Sequence, residues 1–384
     1  MKENESALYS QYIIDGAAYE AAPAELLDEC MEYQDDGFPG GFADIVDETM
    51  EPPVTPFMHE SGRNGEYLKM TSEAVHREIP FRMLYPAHFT RLQIAKALLS
   101  RLWSKGHFRL GDLRLWAQWD WNCRPVGSMS AFYISAMNAG EYIYDLGVRM
   151  SDYLFIENDE ESSARFFAWL PEKEQDEETD THEEGALFKS SPYESRHPWI
   201  NEERCCPERM LPEKDSWIIY IPFDTCSYRL GGSLLAQLNG HNGGTAPEIQ
   251  DPDYFIDCYE VVRELAEDGL VMAGAAVSDG GLATAAERMC GECGMDLDIN
   301  GLMASYQEKD STKVLFSEVP GVLLQIRDND FDYVDSQLIL QDVAYYPVGR
   351  TSVEHEGIRL TGSTGSGVSG ILASLLNQAS EGED

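Results

Sequence analysis

The spacing of apolar residues changes several times along the chain. From Pro86 to Leu102, apolar residues recur every three or four positions, which predicts an amphipathic helix beginning at the proline. Residues 113–121 alternate apolar and polar side chains, as a half-buried strand does, and residues 130–146 return to helical spacing. Gly147 follows them as a residue that commonly ends helices. The first half of the chain is therefore predicted to mix helices with strands.

The second half alternates short apolar runs with amphipathic segments. Such an order is typical of an α/β domain, in which helices cover the faces of a sheet. The predicted strands are 217–221, 270–273, 322–326 and 343–348, and the predicted helices begin at 231–233, at 251–252 and after Gly281, with a further amphipathic helix over 331–340.

Composition divides the chain further. Residues 1–80 are acidic and have few clear periods, whereas half of the residues from 171 to 186 are Asp or Glu, a composition that stays solvated. Residues 361–370 are rich in Gly and Ser. We predict five segments: an acidic irregular extension (1–80), an N-terminal domain (81–170), an acidic linker or insertion (171–214), a C-terminal domain (215–350) and a Gly/Ser-rich tail (351–384).

Bulk composition limits the classes of partner. A length of 384 residues with 43% apolar content is enough for two hydrophobic cores. No run of roughly eighteen apolar residues or apolar leader occurs, and the eight cysteines are scattered, so we expect a cytoplasmic protein that does not enter membranes. The formal charge of −40 disfavours nucleic acid. A phosphorylated small ligand would need a local group of hydrogen-bond donors.

Several sequence stretches carry a family resemblance. Residues 229–237 (RLGGSLLAQ), 251–255 (DPDYF), 278–282 (SDGGL) and 314–321 (VLFSEVPG) resemble, in order and spacing, the C-terminal domain of the aminoimidazole ribonucleotide synthetase superfamily. Residues 92–103, 113–121 and 132–147 resemble the N-terminal domain of the second such module in phosphoribosylformylglycinamidine synthases. Over about residues 80–350, the resemblance implies a ferredoxin-like N-terminal domain, a three-layer α/β C-terminal domain and a homodimer formed through the N-terminal domains.

The same resemblance shows where the chain departs from the family's chemistry. These enzymes activate an amide oxygen with the γ-phosphate of ATP, while magnesium holds the phosphates. The helical Glu and Asn that the resemblance assigns to magnesium are Lys96 and Ser100 in this chain. An ammonium at Lys96 would repel the metal, so Lys96 either lies on the surface or holds a phosphate directly. A family His-Asp pair is replaced by Ala275 and Ala276, which removes a polar contact and a carboxylate.

Other elements of an anion or nucleotide site remain. Free N–H groups at helix starts bind anions, although the same glycines also suit tight strand-to-helix turns and Ser or Asp can serve as helix caps. Glu318 similarly fits either a polar site or a surface or capping role. The candidate residues are Gly231, Gly232, Ser233, Ser278, Asp279, Gly280, Gly281 and Glu318.

The departures favour a degenerate enzyme. No metal site is predicted, because the spacing of Cys290 and Cys293 suits zinc but their place at a helix end does not complete a site. We therefore expect a non-catalytic relative that acts as a scaffold or binds a small ligand, with no cofactor assigned. The alternative is an ATP-dependent amidine-forming ligase of purine biosynthesis that uses ATP or ADP with magnesium and takes ammonia from outside the chain.

Overall fold

The computed structural model describes residues 6–14, 16–31, 57–77, 79–171, 199–240 and 244–360. The acidic stretch from 172 to 186 and the tail from 361 onward lie outside these described residues. Within them, no helix is long and apolar enough to cross a lipid bilayer.

The N-terminal extension contains regular elements that the sequence patterns did not predict. They are strands β1 (Tyr12–Ile14) and β2 (Ala17–Tyr19) and helices α1 (Pro23–Glu29) and α2 (Asn64–Ala74). The prediction of an irregular segment over residues 1–80 is wrong for these parts. Strands of three residues and a helix of seven are too short to show a period, and α2 buries the polar residues Asn64 and Thr71 beside Tyr67.

The next part of the chain forms a three-stranded sheet covered by two helices. Its elements are α3 (Pro86–Leu102), β3 (Ser104–His107), β4 (Arg114–Trp121), α4 (Ser128–Asp145), β5 (Arg149–Glu157), β6 (Ser163–Trp169) and β7 (Trp199–Arg204). Strand β4 lies in the middle, parallel to β5 and antiparallel to β6. Its buried residues, among them Trp119 and Trp121, pack in one core with α3 and α4, so the predicted helices and strand are confirmed.

Strand β7 corrects another expectation. It falls in the segment predicted as an acidic linker, yet it pairs antiparallel with β3. The acidic composition on which the linker prediction rested ends well before Trp199. The chain between 199 and 204 is therefore a strand, and it forms a two-stranded sheet with β3, the strand that follows α3.

The remaining chain forms a six-stranded sheet between two layers of helices. The elements are β8 (Trp217–Pro222), α5 (Leu234–Leu238), α6 (Pro252–Glu267), β9 (Val271–Val277), α7 (Gly281–Met289), β10 (Gly294–Leu297), α8 (Asn300–Ser305), α9 (Ser311–Phe316), β11 (Gly321–Ile326), α10 (Phe331–Leu340), β12 (Tyr346–Ser352) and β13 (Ile358–Leu360). The strand order is β13-β10-β12-β8-β11-β9.

Alternate residues of the central strands enter different cores. In β8, Ile219 and Ile221 join the core that contains α6, whereas Ile218 and Tyr220 face the core of α7 and α9. A strand buried on both faces reads as a continuous apolar run, which explains why this part of the sequence showed no alternation. The three-layer α/β architecture expected from the sequence is confirmed.

The two halves of the described chain meet where α3 ends. A Cβ atom added to Gly274 of β9 would lie 2.2 Å from the Trp103 ring, so that ring packs directly on the strand backbone. Helix α3 contacts both β9 and α6. This contact brings one face of α3 to the turn between β9 and α7.

Candidate functional site

Two buried carboxylates share one buried arginine at this junction. Asp279 lies in the turn that leads into α7, Glu318 follows α9, and Arg82 lies in the loop before α3. Arg82 Nη2 donates to Asp279 Oδ1 at 3.1 Å, and Arg82 Nη1 donates to Glu318 Oε2. All three side chains are fully buried. An ionised carboxylate in such a position requires a charged partner, because burial without one is very costly.

Helix α3 supplies the other partners of Asp279. Lys96 Nζ lies 2.6 Å from Asp279 Oδ2, and Gln93 Nε2 donates to Oδ1 over 3.2 Å. Gln93 and Lys96 are three residues apart, so they share one face of the helix. Burial acts to raise the pKa of Asp279, but the charges of Lys96 and Arg82 and the Lys96 hydrogen bond outweigh it, and the pKa is lowered. Asp279 is therefore ionised at neutral pH.

Glu318 joins the two turns that the sequence marked as anion-binding. Its Oε1 atom accepts hydrogen bonds from the backbone N–H of Leu234 at 2.9 Å and of Gly280 at 2.7 Å. Burial raises the pKa of Glu318, and the nearby Asp279 charge adds to this against the opposing effect of Arg82. Glu318 therefore does not lie on the surface: one of its oxygens binds the two turns and the other lies in the polar cluster with Arg82. The chain's own carboxylate thus occupies donors that would otherwise be available to an external anion.

The Gly231–Gly232 turn lies under the loop that carries Arg82. Gly232 has a φ of +68°, and a Cβ atom there would be 2.7 Å from the Tyr85 ring. The Tyr85 hydroxyl donates to the Gly244 carbonyl oxygen at 2.9 Å. Close packing and a left-handed backbone therefore explain these glycines without a ligand. Gly280 and Gly281 have φ values of +80° and +72°, which supports the same explanation for the second turn.

The remaining serines among the predicted residues make hydrogen bonds within their own turns and helices. Ser233 caps α5 by accepting from the Ala236 N–H, and the Ser278 carbonyl oxygen accepts from the Gly281 N–H at 3.0 Å. The Ser100 hydroxyl donates to the Ala97 carbonyl oxygen of its own helix.

Ala275 and Ala276, where the resemblance implied a His-Asp pair, lie on β9. Ala275 is buried, and Ala276 is half-buried with its carbonyl oxygen accepting from Arg288. Neither methyl group offers a contact to a metal or a phosphate. Lys96 has a side chain that is 45% exposed, in line with the surface interpretation, but its ammonium pairs with the buried Asp279.

Sequence patterns missed three members of the site. Arg82 and Tyr85 lie in a loop without periodicity, and Gln93 is one of several polar residues on α3. A signal was available for Arg82, since it lies just before the helix on which the magnesium ligands were expected.

The cluster does not fit a magnesium-bound nucleotide. Two acids and two bases balance, the Asp279 oxygens are hydrogen-bonded to cationic or amide donors, and Glu318 Oε1 is held by two backbone N–H groups. In addition, no group of three or more His, Cys, Asp or Glu in the described part of the chain is placed to hold a metal ion. The arrangement is that of a closed ionic core with one exposed lysine.

Comparison with known proteins identifies the related families. Residues 217–361 match the family model "AIR synthase related protein, C-terminal domain". The chain is similar to a probable phosphoribosylformylglycinamidine synthase of Arabidopsis thaliana, with 26% identity over 276 residues, covering 70% of this chain and 18% of the relative. It is also similar to human phosphoribosylformylglycinamidine synthase, with 31% identity over 130 residues, 33% of this chain and 9% of that protein. The chain therefore spans less than a fifth of either relative.

Solved structures of similar shape include PurL and a hydrogenase maturation protein. Thermotoga maritima PurL complexed with FGAR gives a TM-score of 0.49 at 11% identity, covering 75% of this chain and 43% of PurL. Escherichia coli HypE, a hydrogenase maturation protein, gives a TM-score of 0.44 at 13% identity, covering 72% of this chain and 77% of HypE.

Proposed function

Because this chain contains an AIR synthase-related module of the phosphoribosylformylglycinamidine synthase type, we propose that it is a catalytically degenerate member of that group. In this proposal it acts as a scaffold or binds a small ligand, and it does not turn over ATP. The cytoplasm is its proposed location, supported by eight cysteines that are all free thiols.

The observation that carries the proposal is the position of Glu318. Its Oε1 atom is bonded to the N–H groups at both glycine-containing turns, and its Oε2 atom is bonded to Arg82. A phosphate would have to displace a fully buried carboxylate from two backbone donors and leave Arg82 with only Asp279. Breaking a buried ion pair on one side costs about 3–5 kcal/mol. Ground-state binding of a nucleotide at this place is therefore disfavoured.

A second place offers room for a small ligand. An open cleft of about 510 Å³ lies on the loop before α3, and its lining includes the apolar residues Phe81, Met83 and Pro125. Glu160 and Glu161 also line it. These carboxylates disfavour a phosphorylated ligand there and favour a neutral or cationic one.

The exposed face of the three-stranded sheet supports a homodimer. It carries large apolar side chains that are 40–49% exposed, and the rings of Trp116 and Phe167 contact each other on it in a tilted arrangement, with centroids 5.5 Å apart. Although the whole chain has a charge of −40, the ionised residues of this face are three arginines and two aspartates, with a net charge of only +1. They are Arg114, Arg149, Arg165, Asp120 and Asp152. A self-complementary surface of this kind suits a second copy of the chain.

Thermal unfolding with nucleotides tests the proposal. The purified chain is heated with ATP or ADP, each with and without magnesium, because a ligand at a hundred times its Kd stabilises the folded state by about 2.7 kcal/mol. We expect no magnesium-dependent rise in melting temperature. A rise that is lost in Lys96→Ala but kept in the control Lys105→Ala would instead favour the ATP-dependent ligase. Amidine formation from formylglycinamide ribonucleotide and ammonia would then be assayed.

A further inference from the structure

The contacts of Arg82 resemble those of a bridging metal ion more than those of a fully hydrogen-bonded guanidinium. One terminal nitrogen contacts each carboxylate, while the buried Nε atom has no hydrogen-bond partner among the described residues. The two terminal nitrogens belong to one planar group, so a single cationic group contacts both carboxylates. Divalent cations hold oxygen ligands at about 2.0–2.6 Å and can bridge such a pair.

We propose that Arg82 is a tethered cation that takes the place of a divalent metal ion between Asp279 and Glu318, and that removing its side chain opens a site for a free divalent cation. The inference deepens the proposed function and rests on it, since it explains how a synthetase-like module stays closed without metal or nucleotide.

The oxygen atoms that would bind the cation are already in place. Both oxygens of Asp279 and Oε2 of Glu318 face Arg82 or Lys96, while Oε1 of Glu318 stays on its two backbone donors. The Gln93 amide lies 3.2 Å from Asp279 and presents either its nitrogen or its oxygen after a rotation. Manganese and calcium accept such mixed oxygen sites and complete their coordination with water.

The loop that carries Arg82 has anchors of its own. Phe81 N–H donates to the Ser162 carbonyl oxygen at 2.8 Å, and the Tyr85 hydroxyl is bonded to the Gly244 carbonyl oxygen. The Phe81 ring also packs edge-on against Trp121 at 4.6 Å. Truncating Arg82 should therefore leave the loop in position and create a polar void between the two carboxylates.

Replacing Lys96 as well as Arg82 should change the size of the metal response. Its ammonium also neutralises Asp279, but its side chain is 45% exposed and can move into solvent. A cation entering the void would compete with it. The response to metal should thus be larger in Arg82→Ala/Lys96→Ala than in Arg82→Ala, and absent in Arg82→Ala/Glu318→Gln, which lacks one of the two carboxylate charges.

The experiment measures melting temperature in chelator and in millimolar manganese, calcium or magnesium. We expect the unsubstituted chain to be indifferent to the metal. Arg82→Ala should melt several degrees lower in chelator and recover most of that loss in manganese or calcium. The variant with Glu318→Gln added should melt higher than Arg82→Ala in chelator and show no metal response.

Three other outcomes would contradict the proposal and one would support it. A folded Arg82→Ala that ignores all three metals would show that Arg82 does not occupy a cation site, as would a metal response of equal size in the unsubstituted chain. If Arg82→Ala folds only when metal is present, the proposal is supported. If it folds under neither condition while Arg82→Ala/Glu318→Gln folds in both, an unpaired charge alone explains the role of Arg82. Because no nucleotide is added, these results are independent of the nucleotide titration.

Discussion

Lys96 and Asp279 form an ion pair in which only one partner reaches solvent. The ammonium nitrogen lies 2.6 Å from Asp279 Oδ2, with the lysine side chain 45% exposed and the aspartate fully buried. The carboxylate would be unstable at this depth with Arg82 alone, because Arg82 is shared with Glu318. The lysine that replaces the family's acidic residue therefore completes the charge balance of the cluster.

Replacing Lys96 with alanine should lower the free energy of unfolding at pH 7. We expect a loss of about 1–2 kcal/mol. A hydrogen bond to a charged group contributes up to about 3 kcal/mol, and this value is reduced here because the lysine is partly exposed to solvent. The lowered pKa of Asp279 sets the pH dependence. Its contribution is present above the ordinary aspartate pKa of about 3.9 and is lost as pH falls through the lowered value.

Urea denaturation of both proteins at pH 7 and at mildly acidic values down to pH 3 measures this difference. The difference between the two stabilities should become smaller toward the acidic end. Lys105→Ala serves as the control, because Lys105 pairs with Glu203 where both side chains are mostly exposed, and it should change little. A loss for Lys96→Ala that is the same at every pH would point to packing instead of charge.

Local periodicity was enough to find the elements that position the site. Helix α3 and strands β4 and β11 were predicted within about two residues, because each is a long or strongly apolar segment whose burial follows its own pattern. The turns at Gly232 and Gly280 were found because glycine marks left-handed backbone.

The composition of the ionic cluster could not be predicted in this way. Arg82 lies 197 residues from Asp279 and 236 residues from Glu318 in the chain, and no local pattern encodes contacts over such separations. Lys96 was expected either to lie on the surface or to hold a phosphate, and its 45% exposed side chain instead pairs with the buried Asp279, which no local pattern indicates.

Gly232→Ala tests whether that turn is kept for geometry. The left-handed backbone costs about 1–2 kcal/mol for alanine, and contact with the Tyr85 ring adds about 1–3 kcal/mol. Chemical denaturation of Gly232→Ala, Tyr85→Ala and the double variant should give a favourable coupling of about 1–3 kcal/mol, since removing the ring relieves the clash but not the backbone strain.

Gly301→Ala is the matched control for that cycle. Gly301 lies in α8, and a Cβ atom there would meet no other atom within 4 Å. Alanine should be neutral or slightly stabilising at this position. If Gly232→Ala were equally harmless, a ligand contact would again be a candidate reason for the glycine.

His59 should make stability fall at alkaline pH. Its Nε2 atom contacts Asp310 Oδ2, and its Nδ1 atom lies 3.1 Å from the Phe57 carbonyl oxygen. The hydrogen bond to Asp310 raises the pKa of His59 against burial and the nearby Lys313 charge. A raised pKa means that the stabilisation is complete below the ordinary histidine pKa of about 6.5 and disappears as pH rises through the higher, folded-state value.

The difference in unfolding free energy between the unsubstituted chain and His59→Gln should therefore be about 1–2 kcal/mol at pH 5.5 and smaller at pH 9. Asp310, whose pKa is lowered, stays ionised across this range. His76→Gln, at an exposed position after α2, is the control. A difference that grew with pH would mean that the neutral imidazole makes the stronger contact.

Phe167→Glu should separate the proposed dimer into monomers. Phe167 is 49% exposed on β6, at one side of the sheet face, and lies opposite Trp116 of the middle strand in the β4–β6 register. Burying an unpaired carboxylate among the exposed aromatic and aliphatic side chains of both copies would weaken association at least about 100-fold, which corresponds to roughly 2.7 kcal/mol. Sedimentation velocity over a range of protein concentrations measures the effect.

Tyr333→Glu on α10, at a side chain that is 51% exposed, is the control and should leave the dimer intact. Because the two variants add the same charge, a monomer in both would show that net repulsion decides the assembly, and a dimer in both would place the interface on another face.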